Sequence, residues 1–326
     1  MAIAVPVRGA RLGPNVRRIL RQYSFGFALI LALILLVANL LTQDHFGWTE
    51  QLATFAPLAI AAMASTPSIV SGRGGFDLTI SPLMTFISIL FVSWLVPAGL
   101  GSYVAIPILL LIGAACGAIN GAIIVFLRVP PMVVTLSTYF IFIGIDLKTT
   151  PTPVTLSGNW VSDFGGSIGP IPGALFTILL PLAIWGAMGF VPYKRILYAV
   201  GSNDATAFSS GVNVGAVRIG AYALGGLFAA VGGFALTAVV SSADAGTAAS
   251  YTLVAVAAVA LGGTSLAGGR GGVLGSLVGA ACIYLLQSLL NALQINTTWL
   301  QVMYGVMLLI AVVFGAALTR AQKEGS

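Results

Sequence analysis

The side chains able to do chemistry are few, and most of them are neutral. There is one histidine, His45, and there are two cysteines, Cys116 and Cys282, both inside apolar runs. A Cys/His zinc cluster is therefore unavailable, and a cysteine in such a run behaves as a small hydrophobe. No His-Glu-x-x-His and no paired carboxylates within one apolar run occur, and the one Gly-x-Ser-x-Gly, at 165–169, lies outside the apolar runs. Nucleophilic and metal-assisted hydrolysis lack their residues. The Gly-rich stretches 72–75 and 268–272 are not followed by Gly-Lys-Ser/Thr, so neither is a phosphate cradle. The expectation is a chain that is not an enzyme, binds no cofactor of its own and cannot hydrolyse ATP by itself.

What the apolar runs do contain is hydroxyl and amide: Ser65, Thr66, Ser68, Asn120, Thr135, Ser137, Thr138, Tyr139, Gln287, Ser288 and Asn291. Such groups offer donors and acceptors without charge. That suits recognition of a neutral polyhydroxy solute, and equally it suits hydrogen bonding between helices. Asp77 stands at the end of an apolar run beside Arg73, either as a salt bridge at the membrane edge or as part of a solute path. A self-powered secondary transporter would need ionisable groups at membrane depth, and none stands out.

The elements that must position these residues follow from composition. Of 326 residues, 58% are hydrophobic and 7% charged, whereas a soluble domain carries roughly a quarter charged. The runs are long and continuous rather than alternating, which excludes a β-barrel. The fold class is an all-α polytopic membrane protein. Spans of about 20 residues are expected at 23–42, 51–71, 81–97, 103–127, 131–146, 173–191, 215–240, 250–262, 272–293 and 298–318. The eighth is short and ends at Gly262–Gly263, which suggests a broken or re-entrant helix. Before the first span lie Arg8, Arg11, Arg17, Arg18 and Arg21. That apolar stretch is too long for a signal peptide and is read as uncleaved.

Ten crossings with the N-terminus inside place every basic residue except Lys148 on the cytoplasmic side, as the positive-inside rule requires. Both termini are then cytoplasmic. The net charge of +6 sits in those loops and implies no nucleic acid. The domain reading is a cytoplasmic segment 1–22, one transmembrane unit 23–318 and a tail 319–326, with the longest inside loop at 192–214. In that loop Ser202, Asn203 or Asp204 can cap a short helix that stops at Gly211. Two series of glycines four apart, Gly113–Gly117–Gly121 and Gly271–Gly275–Gly279, predict helix faces for close backbone packing. Tight hairpins at spans four–five and nine–ten hint at an inverted repeat.

Several segments together carry a resemblance. Gly74-Gly-Phe-Asp-Leu-Thr79, Asn120-Gly, Val129-Pro-Pro-Met-Val-Val-Thr-Leu136, Tyr198-Ala-Val-Gly-Ser-Asn203 with Ser210-Gly-Val-Asn213, and Ala257-Ala-Val-Ala-Leu-Gly-Gly-Thr-Ser-Leu-Ala-Gly-Gly-Arg-Gly-Gly272 follow one another in order. They resemble the signatures of ribose-type sugar permeases of ATP-binding cassette importers. The resemblance weakens at Tyr251-Thr-Leu-Val-Ala255, where the family often has two acids, and at Ala205 and Phe208, where it often has Glu and Arg.

The resemblance implies a multi-pass permease of the bacterial inner membrane that imports a monosaccharide by alternating access. Its partners would be a second copy or a homologous permease, a cytoplasmic ATPase carrying ATP-Mg, and a periplasmic sugar-binding protein. Gly201, Asn203, Asp204, Ala207, Ser210 and Gly211 would couple to the ATPase. Ser68, Phe76, Asp77, Asn120, Thr135, Thr264, Ser265, Gln287 and Asn291 are the candidate solute path. Nucleosides, a furanose-like autoinducer or branched-chain amino acids are the alternative cargoes. A stand-alone secondary transporter or channel is the alternative class.

Overall fold

The computed structural model describes residues 14–43, 45–247 and 250–295, with side chains from residue 25, and the isolated helical residues 299, 302, 305 and 306. The helices in chain order are α1 (Pro14–Thr42), α2 (Trp48–Val70), α3 (Ile80–Ile89), α4 (Ala105–Leu127), α5 (Pro131–Thr149), α6 (Ala174–Ala187), α7 (Pro192–Ser202), α8 (Asp204–Ser209), α9 (Val214–Val240), α10 (Tyr251–Leu261) and α11 (Val273–Ala292). Strands are two-residue tethers: β1 (Val154–Thr155) pairs with β4 (Ser242–Ala243), and β2 (Ser167–Ile168) with β3 (Ile171–Pro172).

Six of the described helices, α1, α2, α4, α5, α9 and α11, are long and apolar enough to cross a membrane. The expected third span is a ten-residue helix continued by a wide π turn over Leu90–Leu95. The expected sixth span is α6 with a short 3₁₀ turn. It bends by 91° into α7, because Pro192 opens α7 and forces the preceding Val191 into extended backbone. The eighth is α10, eleven residues ending at Gly262, short as its sequence suggested. The tenth, 298–318, falls almost wholly outside the described residues, as do the flanking segments 1–13 and 319–326.

At the centre stands α2, buried on all sides from Ala56 to Val70. A helix apolar all round belongs in the interior, and its Ala, Ser and Thr side chains are small enough to admit α9, α10 and α11 around it. The tightest pairing in the bundle is α4 against α9. Gly113 abuts Gly226 and Ala230, Gly117 abuts the Tyr222 carbonyl, and Gly121 faces Ile219. Helices in lipid gain little from hydrophobicity and associate through such close packing.

The second glycine series is split. Gly275 and Gly279 lie on α11 and meet Ala258 of α10 and Gly262 just past its end. Gly271 precedes the helix at φ +104° and packs on Thr264. A left-handed backbone there ends any helical stripe, so the three-membered face expected from spacing is only two members long.

Candidate functional site

Two glycine-rich loops, one after α2 and one after α10, meet α7 at a single point. The Gly269 amide donates to the Val70 carbonyl at 2.9 Å. A methyl on Gly201 would collide with the Val70 carbonyl and the Gly269 amide, and one on Gly72 would stand 2.9 Å from the Gly201 carbonyl. Only glycine allows three backbones this close. The Tyr198 hydroxyl adds a bond to the Gly271 carbonyl at 2.6 Å. Leu197 and Val200 face inward and are buried, while Lys194 and Arg195 carry the charge of the same helix. The α7 backbone is therefore in direct contact with the loops that follow α2 and α10.

Capping amides delimit α8. Asn203 Oδ1 accepts from the Thr206 amide at 3.1 Å, and Asn213 Oδ1 accepts from the Ala216 amide at 3.0 Å to start α9. Ser210 and Gly211 close α8, with Gly211 at φ +83° in open space. Ala207 is the buried residue of this short helix, and Phe208 is 72% exposed. Between α7 and α8 runs a groove of about 480 Å³ lined by Arg195, Ile196, Ala199, Thr206 and Ser210 among others.

Asp204 points inward, into a triad. Its Oδ2 lies 2.6 Å from Arg73 Nε and 3.0 Å from Arg218 Nη2. Partial desolvation opposes its ionisation, but the Arg218 hydrogen bond and the two guanidinium charges outweigh that and hold its carboxyl below the usual range. The salt bridge between Arg73 and Asp77 considered from sequence is not the one formed. Arg73 adopts φ +54°, a left-handed turn that sends its side chain to Asp204.

Asp77 is instead 2% exposed. Its Oδ1 accepts from the Thr79 amide at 3.0 Å and from the Thr79 hydroxyl. Asn120 Nδ2 donates to Thr79 Oγ1 at 3.1 Å, and Thr135 Oγ1 donates to the Phe76 carbonyl at 3.3 Å. Thus Phe76, Asp77, Asn120 and Thr135 of the expected path come together where α3, α4 and α5 begin or end. Ser68 lies within α2, bonded to the Ser65 carbonyl. Thr264 and Ser265 shape the second loop: Thr264 Oγ1 accepts from the Gly272 amide at 3.1 Å, and the Ser265 amide donates to the Arg270 carbonyl at 3.1 Å. Gln287 and Asn291 sit toward the far end of α11, about 20–27 Å along the axis from its start. The structure does not join them to the Asp77 group.

Residues not singled out by the sequence reading also matter. Arg218 shows as a cation in the first turns of an apolar helix, a readable sign. Tyr222, 1% exposed, looks like any core aromatic. The chain Asn39–Gln43–Gln51–Tyr284 joins α1, α2 and α11 through amide and hydroxyl bonds of 2.7–3.3 Å. Isolated amides in apolar runs were its only signal. Among the described residues, no group of His, Cys, Asp or Glu could hold a metal ion.

A family model described as the permease component of the branched-chain amino acid transport system matches residues 47–312. The chain belongs to this permease family. It is similar to a ribose import permease protein of Haemophilus influenzae, 32% identical with 91% of this chain and 93% of the relative covered. A ribose import permease protein of Bacillus subtilis is 32% identical over 87% of this chain and 88% of its own. A fructose import permease protein of Rhizobium meliloti is 29% identical over 82% and 77%. No solved structure matches the permease. The apolar helices and the family agree on an integral membrane permease, the class and inner-membrane location that the sequence motifs implied.

Proposed function

We propose that this permease is the membrane-spanning subunit of a binding-protein-dependent, ATP-driven importer, and that its cargo is a monosaccharide. The observation that carries the reading is the junction at Gly201. A short capped element, α7–α8, is built directly onto the loops that end α2 and α10, which is the construction a chain needs if force is delivered to it from outside. A cytoplasmic ATPase, holding ATP-Mg, docks on the α7–α8 surface. A periplasmic binding protein delivers sugar to the other side, and a second permease, identical or homologous, completes the pore. Ten spans with both termini cytoplasmic put α7–α8 and the basic residues on the ATPase side.

Hydroxyl and amide groups near the start of α3 and the last turns of α4 suit a polyhydroxy solute, and similarity to ribose and fructose permeases supports a sugar. The family description favours a second reading, a branched-chain amino acid. Its zwitterion would need paired charges at membrane depth. The ion triad of Asp204, Arg73 and Arg218 belongs instead to the loop end.

Reconstitution of the permease with its ATPase and binding protein in proteoliposomes tests this. Radiolabelled ribose, fructose or allose should accumulate only with ATP and binding protein present. Uptake by the permease alone would overturn the reading, and accumulation of leucine but no sugar would select the second.

A further inference from the structure

Three buried polar atoms on or beside the first half of α9 lack partners. Among the described residues, Asp77 Oδ2, the Tyr222 hydroxyl and Arg218 Nε have no hydrogen-bond partner. Asp77 and Tyr222 are 2% and 1% exposed, so water does not serve them freely, and an unmade buried bond is expensive. The three are spatially ordered. Arg218, Tyr222 and Gly225 recur at i, i+4 and i+7 and share one face of α9. At one end of that face Arg218 Nη2 holds Asp204 at 3.0 Å. At the other, a Cβ on Gly225 would stand 3.9 Å from Asp77 Oδ2. Tyr222 lies between, within electrostatic reach of both charges.

We propose that Arg218 and Tyr222 are positioning residues that connect the ATPase-docking segment to the Asp77 loop by exchanging partners. In the arrangement observed, Asp204 holds the guanidinium and the Tyr222 hydroxyl stays unpaired. When the ATPase draws α8 away, Asp204 leaves with it. Arg218 Nε then donates to Tyr222 Oη, and the Tyr222 hydroxyl donates to Asp77 Oδ2. No proton is transferred; each hydrogen stays on its own atom and only partners change. The completed chain runs from Arg218 through Tyr222, Asp77 and Thr79 to Asn120, and it ties the start of α3 and the last turns of α4 to α9. A two-state element of this kind is what lets a displacement at one site bias another.

The inference rests on the ATPase-docking reading above. The test uses the complete importer in proteoliposomes with Tyr222→Phe, which deletes one oxygen from a ring that otherwise packs as before. ATPase co-purification and hydrolysis without binding protein should match the unmodified complex. Sugar taken up per ATP hydrolysed should fall about fivefold. Arg218→Lys keeps a cation for Asp204 but has no Nε, and should lower the same ratio. The double variant should be no worse than the poorer single one, because both break one chain. A Tyr222→Phe complex with the unmodified uptake-to-hydrolysis ratio overturns the relay, as do double-variant losses that multiply. If the unmodified permease neither binds the ATPase nor shows binding-protein-stimulated hydrolysis, the importer reading itself falls and takes the relay with it.

Discussion

At the α7–α8 end, chain segments are joined by charge and by bare backbone: Asp204 between Arg73 and Arg218, and Gly201 wedged against Val70 and Gly269. At the far end of α1, α2 and α11 the same task is done by neutral groups. Asn39 donates to the carbonyls of Leu35 and Leu285 at 2.8 Å each, and Gln43 donates to Asn39 and Ser288. The difference follows the surroundings. Ions are tolerable where solvent reaches them, as at Arg73, whose side chain is 70% exposed. Asn39 is fully buried, and there an amide satisfies its neighbours without the desolvation cost of a charge. The charged end stands partly in solvent, whereas the neutral end has its donors and acceptors matched within the bundle.

The strongest way to break that contrast is to attack the packing beneath both ends. Gly117→Leu drives an isobutyl group into the Tyr222 carbonyl, and no rotamer relieves a backbone collision. Expected is loss of most detergent-stable protein by size-exclusion chromatography, and a normal yield would refute the close α4–α9 approach. Next in size is Gly201→Ala, whose methyl meets the Val70 carbonyl. Uptake should fall at least tenfold while the protein still reaches the membrane. Gly211→Ala, at φ +83° but in open space, pays only the left-handed backbone cost of about 1–2 kcal/mol. It should retain most uptake, and equal damage at 201 and 211 would show that crowding is not what distinguishes them.

Asp204→Lys places a third cation beside Arg73 and Arg218. It should weaken ATPase co-purification several-fold, and exchanging the charges in Asp204→Arg/Arg218→Asp should restore part of it. The pH dependence sharpens the same point. A carboxyl held below its ordinary range stabilises the docked segment fully at neutral pH and loses that contribution as pH falls through the lowered value. Thermal stability of the complex should therefore show an acid limb that Asp204→Asn flattens, and an unchanged limb would mean that the triad does not matter. The smallest effect is expected from Gln43→Leu, since hydrogen bonds between membrane helices average about 0.6 kcal/mol. A shift in melting temperature of a degree or two, with normal uptake, is the outcome that marks the far end as structural.

Much of this was readable from residue types and spacing. Long apolar runs located α2, α4, α5, α9 and α11 because a lipid-facing backbone must satisfy itself within a helix. Ser202, Asn203 or Asp204 was the expected cap of α8 and Gly211 its stop; the structure selects Asn203 and keeps Gly211, since capping and left-handed termination depend on a residue and its immediate neighbours. The candidate site was legible only in part. Motif order brought Phe76, Asp77, Asn120 and Thr135 under suspicion together, and they are joined. Gln287 and Asn291 carried the same amide signal and lie elsewhere, because residue type says nothing of which end of a helix a neighbour occupies.

Composition and local turn chemistry were thus sufficient for the class of the chain, its long helices and the stop of α8, because each depends on interactions within a few residues or on the bulk solvent. Pairings across the chain were not. That Asp204 takes Arg73 and Arg218, that Gly271 leaves its stripe for Thr264, and that Tyr222 stands between Asp204 and Asp77 were decided by packing. These contacts join residues from seven positions apart, at Thr264 and Gly271, to more than a hundred apart, at Arg73 and Asp204, and each depends on where a backbone turn or a glycine lets two segments approach.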